Sequence, residues 1–335
     1  MNRHKFVVAS TVSLLVVAGL VAALAFYSNV SVKASIPNLP EALSYLPADS
    51  QVVFGMNVQR FVKSPVFTKF QEKHGQEIGS DLQNFIASTG VDPVNDLSYI
   101  VAAGKANEGR KGNGAVIAVA KGTFNVGGII GYIKSKTTPV ESFYNGIQVL
   151  MIPEADASKL EKGIAILKTS EIALGDLDTL KAVIDASAHP QTLGLEANTT
   201  LMQLITSLDP GQMFWFAGDA ASILAKAPTS TPLGGSISSI QSVVGTLNLD
   251  DAVVGKITAI AKDPDSAQKI SAVVQGFVAL GQLASDQRPE LTQLLSGLAV
   301  SLDKNQVSIS VNFAYDLLEK LQQAKQQAKA QARKI

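Results

Sequence analysis

The stretch Gln51-Val-Val-Phe-Gly-Met-Asn57 has a counterpart later in the chain, Gln212-Met-Phe-Trp-Phe-Ala-Gly218. Both are short apolar runs rich in β-branched and aromatic residues, and such runs are typical of strands buried inside a sheet. Each follows a turn that contains Leu, Pro and Asp, and each leads into a helical pattern, for which Asn57 and Asp219 are the candidate N-caps. The match predicts that the chain contains two similar halves.

The segments that close the two predicted halves also resemble each other. Residues 163–188 predict a β-hairpin followed by a helix, and residues 297–335 predict the same order of elements. Between these segments, strands and helices follow one another without a strict βαβ alternation, and one of the predicted helices covers Ser236–Val244. We therefore expect an α+β fold with two halves, 46–190 and 191–335, each a mostly antiparallel sheet covered by helices on one face.

The last predicted strand alternates strictly between apolar and polar side chains, which are Val307, Ser308, Ile309, Ser310, Val311, Asn312 and Phe313. A period of two places the apolar side chains on one face of a sheet and the polar ones on the other. The pattern therefore predicts an open polar face. We expect Ser308, Ser310 and Asn312 to be possible contacts to a ligand or a partner.

Two other groups of side chains are candidate contacts. Trp215 lies in a strand that is apolar on both faces, so it is either a core residue or a ring that stacks on a sugar or a lipid. Lys325, Lys329 and Arg333 lie on one face of the predicted C-terminal helix. That basic stripe is either a solvated helix end or a contact to an anionic envelope polymer or lipid.

The N-terminal segment predicts where the rest of the chain is located. Basic residues at positions 3–5 precede the uncharged run Phe6–Tyr27, which as a helix would be about 33 Å long, enough for a hydrocarbon core of about 30 Å. We expect a single-pass signal-anchor helix at 6–27 that contacts the lipid bilayer, with residues 1–5 in the cytoplasm and a tether at 28–45 leading to a periplasmic or cell-surface body. The alternative is a signal peptide that is cleaved near Ala34, which would release the body.

Composition excludes several classes of function. Lys and Arg together number 28, as do Asp and Glu, and this balance argues against a broad nucleic-acid surface. The chain has no cysteine, so it has no disulfides and no cysteine-based metal, redox or nucleophile chemistry. Its three histidines, His4, His74 and His189, do not have the spacing of metal ligands. We therefore predict no cofactor and no metal site, and the oligomeric state stays open.

Two pairs of carboxylates are the remaining candidates for catalysis. Asp250 and Asp251 precede a predicted strand, while Asp176 and Asp178 flank the start of the predicted helix Leu177–Ala188. Roles in turns and helix caps explain both pairs. A pair of carboxylates is also what a glycosidase needs, so an envelope hydrolase is the alternative function.

Three segments taken together carry a resemblance to other proteins. They are Leu46-Pro-Ala-Asp-Ser-Gln-Val-Val-Phe-Gly-Met-Asn57, the strand pair within residues 162–177, and Met213-Phe-Trp-Phe-Ala-Gly-Asp219. The chain resembles a group of exported bacterial proteins of unknown function, acidobacterial-like, and the resemblance implies an N-terminal anchor and a duplicated α+β body without assigning any catalytic residue. Our leading hypothesis is a membrane-anchored, non-enzymatic binding or scaffold module of the bacterial envelope.

Overall fold

The computed structural model describes residues 40–105, 115–153, 161–208, 211–224, 238–284, 289–317 and Lys320. The strands in these residues are β1 Val52–Asn57, β2 Leu97–Lys105, β3 Ala115–Gly122, β4 Val140–Tyr144, β5 Ile147–Ile152, β6 Lys162–Lys168, β7 Glu171–Asp176, β8 Phe214–Asp219, β9 Ile240–Leu249, β10 Ala252–Ala261, β11 Leu298–Asp303 and β12 Gln306–Ala314. The helices are α1 Val58–Phe61, α2 Pro65–Thr89, α3 Pro93–Asp96, α4 Val126–Lys136, α5 Leu177–Ala188, α6 Pro190–Leu193, α7 Thr199–Thr206, α8 Ala220–Leu224, α9 Pro264–Ala284 and α10 Pro289–Ser296. Two short 3-10 turns lie at Glu41–Leu43 and Leu195–Ala197.

The strands form one antiparallel sheet of 12 strands in the order β11-β12-β10-β9-β8-β1-β2-β3-β7-β6-β5-β4. The expectation of two halves, each with its own sheet, is therefore wrong, although the mixture of antiparallel strands and helices agrees with the α+β class. The two matching stretches of sequence, now β1 and β8, are hydrogen-bonded neighbours in which Phe54 is opposite Phe216. Pairing satisfies backbone groups that a free edge of either strand would leave open, so the sheet continues from one stretch into the other.

Helices lie on both faces of this sheet, not on one. On the face that we call face A, which carries Val53 and Trp215, the strands pack against α5 through Leu180 and Val183 and against α7 through Ile205. The opposite face, face B, carries Met56 and Phe214. At the β10–β12 end, face B packs against α9 and α10, through the apolar residues Ile270, Val274 and Leu294.

A predicted helix at Ser236–Val244 is wrong, because the chain forms β9 from Ile240 onward. The spacing of Ile237, Ile240 and Val244 fits a helical face, but β9 pairs along its length with β8 on one side and β10 on the other. Tertiary pairing of a β-branched segment thus prevails over its local periodicity.

No helix within the described ranges is both long enough and apolar enough to cross a membrane. The transmembrane helix that we included in the expected fold is therefore not part of the described structure, and its predicted position, 6–27, lies outside the described residues. The longest helix of the described residues, α2, carries charges such as Lys69 and Glu72, which the hydrocarbon core of a bilayer disfavours.

Both predicted helix caps are confirmed by hydrogen bonds. The Asn57 side chain accepts a bond of 2.9 Å from the backbone N–H of Arg60, and Asp219 accepts one of 2.8 Å from the N–H of Ser222. Each cap is the last residue of one of the two matching strands. The strand-to-helix junction is thus encoded locally at both places.

Candidate functional site

Polar side chains line up across neighbouring strands on face A, at the end of the sheet formed by β9 to β12. Lys256 is directly opposite Thr246 on one side and Ser310 on the other. Directly opposite residues of antiparallel strands point to the same face. These three side chains therefore form one continuous row, with the ammonium group of Lys256 at its centre.

A second row runs parallel to the first, two residues along the strands. Thr258 is opposite Ser308, which in turn is opposite Ser301 on the edge strand β11. The hydroxyls of Thr258 and Ser308 are 2.9 Å apart and hydrogen-bonded. We name this surface the polar face, and its members are Thr246, Lys256, Thr258, Ser301, Ser308, Ser310 and Asn312.

The polar face lies on the side of the sheet opposite helices α9 and α10. In the described residues, the helices that pack along β10, β11 and β12 are α9 and α10, and the apolar strand side chains they meet, such as Val300, Val307 and Ile309, belong to face B. On face A, Ala299, Ser301 and Asn312 are exposed and Lys256 is half-buried, whereas Thr258 and Ser308 are buried. In the alternation predicted for residues 307–313, Val307, Val311 and Phe313 are buried and Ile309 is half-buried. On the side predicted to be open, Asn312 is exposed but Ser308 is buried.

The structure brings some of the predicted contact residues together and separates others. Ser308, Ser310 and Asn312 lie side by side on the polar face. Trp215 lies on the same face of the sheet, opposite Thr246, so it belongs to the row that Lys256 and Ser310 continue. The basic residues Lys325, Lys329 and Arg333 lie outside the described residues.

Trp215 is enclosed in the core. Its side chain is in the buried cluster that joins face A to α5 and α7, and only 2% of the residue is exposed. The indole Nε1 donates a hydrogen bond of 2.5 Å to the hydroxyl of Tyr99, and burial raises the pKa of that hydroxyl. A buried indole whose N–H has a partner is a structural element of the core.

Sequence reasoning missed the residue at the centre of the polar face. Lys256 and Thr258 alternate with the apolar residues around them in the run Val253–Ala261, so the signal of a polar face was present there too. The sequence could not predict which strands lie beside β10. In the structure β10 lies between β9 and β12, and this arrangement places Lys256 between hydroxyls. The described residues contain no ion pair with Lys256.

A cleft of about 300 Å³ lies beside the polar face, at the end of β12. It is bounded by the end of α10 and by the residues that follow β12, and its lining includes Gln293, Ser296, Asn312, Asp316 and Leu317. The Asp316 carboxylate accepts a hydrogen bond of 2.9 Å from Lys320. Asn312 therefore lines both this cleft and the polar face.

A second group of charges lies at the far side of the core, where the turn between β6 and β7 meets the 3-10 turn Glu41–Leu43. Lys168 Nζ is 2.7 Å from Glu41 Oε1, 2.6 Å from the Tyr45 hydroxyl and 3.2 Å from Glu171 Oε2. Lys121 approaches the other oxygen of Glu171 at 3.6 Å. Glu171 itself is buried, so the two lysines supply its compensating charge.

The electrostatics of this group favour a structural role over proton transfer. Hydrogen bonds from Lys168 and Tyr45 lower the pKa of Glu41 to about 2, while burial and the bond to Glu41 raise the pKa of Tyr45 to about 12. The hydrogen bond to Glu41 also raises the pKa of the Lys168 ammonium. At neutral pH all three groups stay in their ordinary charge states, far from the pKa that a general acid or base requires.

One carboxylate of each pair predicted as an alternative catalyst is held by nearby groups, whereas Asp178 and Asp251 are exposed. Asp176 accepts a hydrogen bond of 2.7 Å from the backbone N–H of Val116 and forms an ion pair with Lys162. Asp250 accepts two bonds from the guanidinium of Arg60, at 2.6 and 3.2 Å. Across the described ranges, no group of three or more His, Asp or Glu side chains is arranged to hold a metal ion.

Comparison with known proteins identifies the fold and nothing further. No protein-family model and no curated protein sequence matches the chain. The crystal structure of TP0453 in crystal form III is similar, with a TM-score of 0.51 and 10% sequence identity over 85% of this chain and 97% of that chain. Crystal form I of TP0453 gives a TM-score of 0.48 at 10% identity over 86% and 96% of the two chains. At such low identity the likeness concerns the arrangement of strands and helices, and it does not extend to a ligand, an activity or a bacterial group.

Proposed function

We propose that this protein is a non-enzymatic binding module of the bacterial envelope, and that the polar face is its binding surface. The observation that carries the proposal is the half-buried polar row Thr246–Lys256–Ser310 on the sheet face opposite α9 and α10, with Ser301 and Asn312 exposed beside it. The hydroxyls and the Asn312 amide offer several weak hydrogen bonds, and the ammonium group of Lys256 adds one charged contact. Such a surface suits an extended, hydroxyl-rich and acidic ligand, for which an acidic polysaccharide is the chemical class that we name.

A folded protein partner fits this surface less well. Stable protein interfaces have an apolar or aromatic centre surrounded by a polar rim. The polar face has the opposite composition, because its centre is Lys256 and its neighbours are hydroxyls. The aromatic side chain in the same row, Trp215, is enclosed in the core.

The N-terminal sequence supports a location outside the cytoplasm. Basic residues at positions 3–5 followed by the uncharged run 6–27 are the pattern of an export signal. A chain without cysteine is also indifferent to the oxidising conditions outside the cytoplasm. In that compartment, acidic polysaccharides are available as ligands.

The state of the charged groups supports binding without catalysis. Asp176 and Asp250 already accept hydrogen bonds and ion pairs from the protein, and Lys168 is held in its protonated form. A hydrolase would need at least one carboxylate free to exchange a proton near neutral pH. We therefore place the ligand on the polar face and assign no reaction to it.

Binding of polygalacturonate, an acidic polysaccharide, to the full chain tests the proposal. Retardation of the protein in gels that contain polygalacturonate is compared with retardation in gels that contain neutral dextran. We expect retardation by polygalacturonate, and we expect Lys256→Gln to abolish most of it. The control Lys63→Gln removes the same charge from an exposed position between α1 and α2, and it should leave the retardation unchanged.

Two results would overturn the proposal. If polygalacturonate does not retard the protein, the polar face is not a binding surface for acidic polysaccharide and the proposal is wrong. If Lys63→Gln weakens retardation as much as Lys256→Gln does, the interaction is a general charge effect. Release of reducing ends from the polymer during the experiment would instead favour the hydrolase, and Asp176→Asn and Asp250→Asn would then identify the carboxylate.

A further inference from the structure

The sheet has two edge strands, β4 and β11, and β11 has an unusual outer side. The two-residue turn Lys304–Asn305, with Lys304 at a φ of 53°, connects β11 to β12 and makes Asp303 and Gln306 the first hydrogen-bonded pair. Hydrogen-bonded and non-hydrogen-bonded pairs then alternate along the ladder. The backbone N–H and C=O groups of Leu298, Val300 and Leu302 therefore point away from β12, toward the outside of the sheet.

Among the described residues, no group forms a hydrogen bond with these outward-pointing N–H and C=O groups. β11 pairs with β12 alone, and the other backbone hydrogen bonds of the described chain do not reach Leu298, Val300 or Leu302. From Leu298 to Leu302, β11 contains neither a proline nor a charged residue, the devices by which natural edge strands avoid pairing, and its charge, Asp303, lies at the end next to the turn. The other edge has both, since Pro139 precedes β4 and Glu141, in β4, forms an ion pair with Lys134.

We propose that β11 pairs with β11 of a second copy of this chain, antiparallel and centred on Val300, so that two sheets join into one. The outward N–H and C=O groups of Leu298, Val300 and Leu302 can form hydrogen bonds with the same groups of an antiparallel second copy. In the centred register, Val300 is opposite Val300 of the second copy, and Leu298 is opposite Leu302. Each of the three resulting pairs is hydrogen-bonded, which satisfies the outer groups of both strands.

The side chains and charges of β11 agree with this register. Leu302, which is 43% exposed in the isolated chain, meets Leu298 of the second copy on face B. On face A, Ala299 meets Ser301, and both are exposed and small. The carboxylate of Asp303 is opposite Gly297, so no like charges face each other across the axis.

The pairing has a geometric consequence for the polar face. A two-fold axis between antiparallel edge strands is perpendicular to the sheet, so face A of one copy continues into face A of the other. Ser301 and Ser308 of one copy then lie in rows that extend across the axis. The dimer interface does not depend on any ligand, and it can be tested whether or not the polar face binds polysaccharide.

Cysteine crosslinking tests the register directly, because the chain contains no cysteine of its own. In the proposed pair the two Val300 Cα atoms are about 5.5 Å apart, within the range of a disulfide. We expect the full-chain variant Val300→Cys to form a disulfide-linked dimer as its major species under mild oxidation. The matched control Ser301→Cys is more exposed, but its two copies are diagonal neighbours about 7–8 Å apart, which is too far for a disulfide.

A proline substitution tests whether the dimer depends on hydrogen bonds from the outward backbone groups of β11. The N–H of Leu302 points outward, so Leu302→Pro leaves the β11–β12 ladder intact and removes one donor at the interface. We expect Leu302→Pro in the Val300→Cys background to lose the disulfide-linked dimer while its circular dichroism spectrum stays unchanged. The proposal is overturned if Ser301→Cys crosslinks as well as Val300→Cys, or if the folded double variant still crosslinks.

Discussion

Gly55 and Trp215 are opposite each other across the β1–β8 pair, and the indole occupies the space that a side chain on residue 55 would need. A Cβ atom built on Gly55 would lie 2.2 Å from Trp215 Cε2, far inside van der Waals contact. The two matching stretches of sequence thus meet at a point where one contributes the largest side chain and the other contributes none. This complementarity allows the β1 and β8 backbones to pair in the middle of the sheet.

Gly55→Ala should destabilise the protein, because the added methyl group has no space unless the indole of Trp215 moves. We expect a loss of about 1–3 kcal/mol in the free energy of unfolding, measured by urea denaturation. Gly276→Ala is the control, since a Cβ atom at that position in helix α9 meets nothing within 4 Å. That control should be neutral or stabilising, and equal destabilisation by both variants would contradict the steric explanation.

Tyr99→Phe should weaken the core on the other side of the same indole. Removal of the hydroxyl leaves the buried Trp215 Nε1–H without its 2.5 Å acceptor, which we expect to cost about 1–3 kcal/mol in urea denaturation. The same change at Tyr132, on helix α4, removes a hydroxyl outside the core clusters and should cost less. A Tyr99→Phe variant as stable as the original protein would mean that the indole finds another acceptor.

Acid should reveal the contribution of Glu41. Its pKa is lowered from 4.5 to about 2, first by the hydrogen bond from Lys168, so the carboxylate is favoured in the folded state. This contribution to stability is present above pH 4.5 and is lost as the pH falls toward 2. We expect Glu41→Gln to make the urea midpoint less dependent on pH within that window, by a modest amount because Glu41 is largely exposed.

The control for the acid experiment is Glu196→Gln, which changes another exposed glutamate in the 3-10 turn Leu195–Ala197. That variant should follow the pH profile of the original protein. A profile for Glu41→Gln that coincides with the original from pH 6 to pH 2 would show that the Lys168 contact contributes nothing to stability in solution.

Asp176→Ala should be much more disruptive than Asp178→Ala, although the two residues are neighbours at the start of α5. Asp176 is buried and accepts from the backbone N–H of Val116, so its removal leaves a donor of β3 unpaired, at a cost of about 1–3 kcal/mol. Asp178 is exposed and contributes through the helix dipole, about 0.3–1 kcal/mol. Thermal unfolding of the two variants gives the comparison, and equal losses would contradict the assigned role of Asp176.

Much of the local structure could be predicted from the sequence. Helix α5 begins and ends at the predicted residues, Leu177 and Ala188, and the caps at Asn57 and Asp219 make the expected bonds. Hydrophobic periodicity and helix capping depend on residues within a few positions of each other, so both can be recognised in the sequence. The segment Ser236–Val244 is the exception, because its apolar spacing fits a helix whereas its neighbours in space, β8 and β10, impose a strand.

The order of the strands could not be predicted in the same way. That β1 pairs with β8 depends on contacts between residues more than 150 positions apart, such as Phe54 and Phe216. No local pattern reports such a contact, and the repetition of sequence suggested two separate sheets where the structure has one. The same is true of the candidate site. The alternation that includes Ser308 and Ser310 could be predicted from the sequence, but the position of Lys256 beside them could not.

The sequence by itself determined which side chains share a face of a strand, the bounds of helix α5, the caps at Asn57 and Asp219, and that no cysteine chemistry takes place. Only the tertiary structure decided which strands lie side by side, that Trp215 is enclosed against Gly55, and that Lys256 lies between Thr246 and Ser310. The physical reason is the range of the interactions. Dihedral preferences and the two-residue period of a strand are properties of neighbouring residues, whereas strand pairing is a choice among distant segments that depends on how the whole core packs.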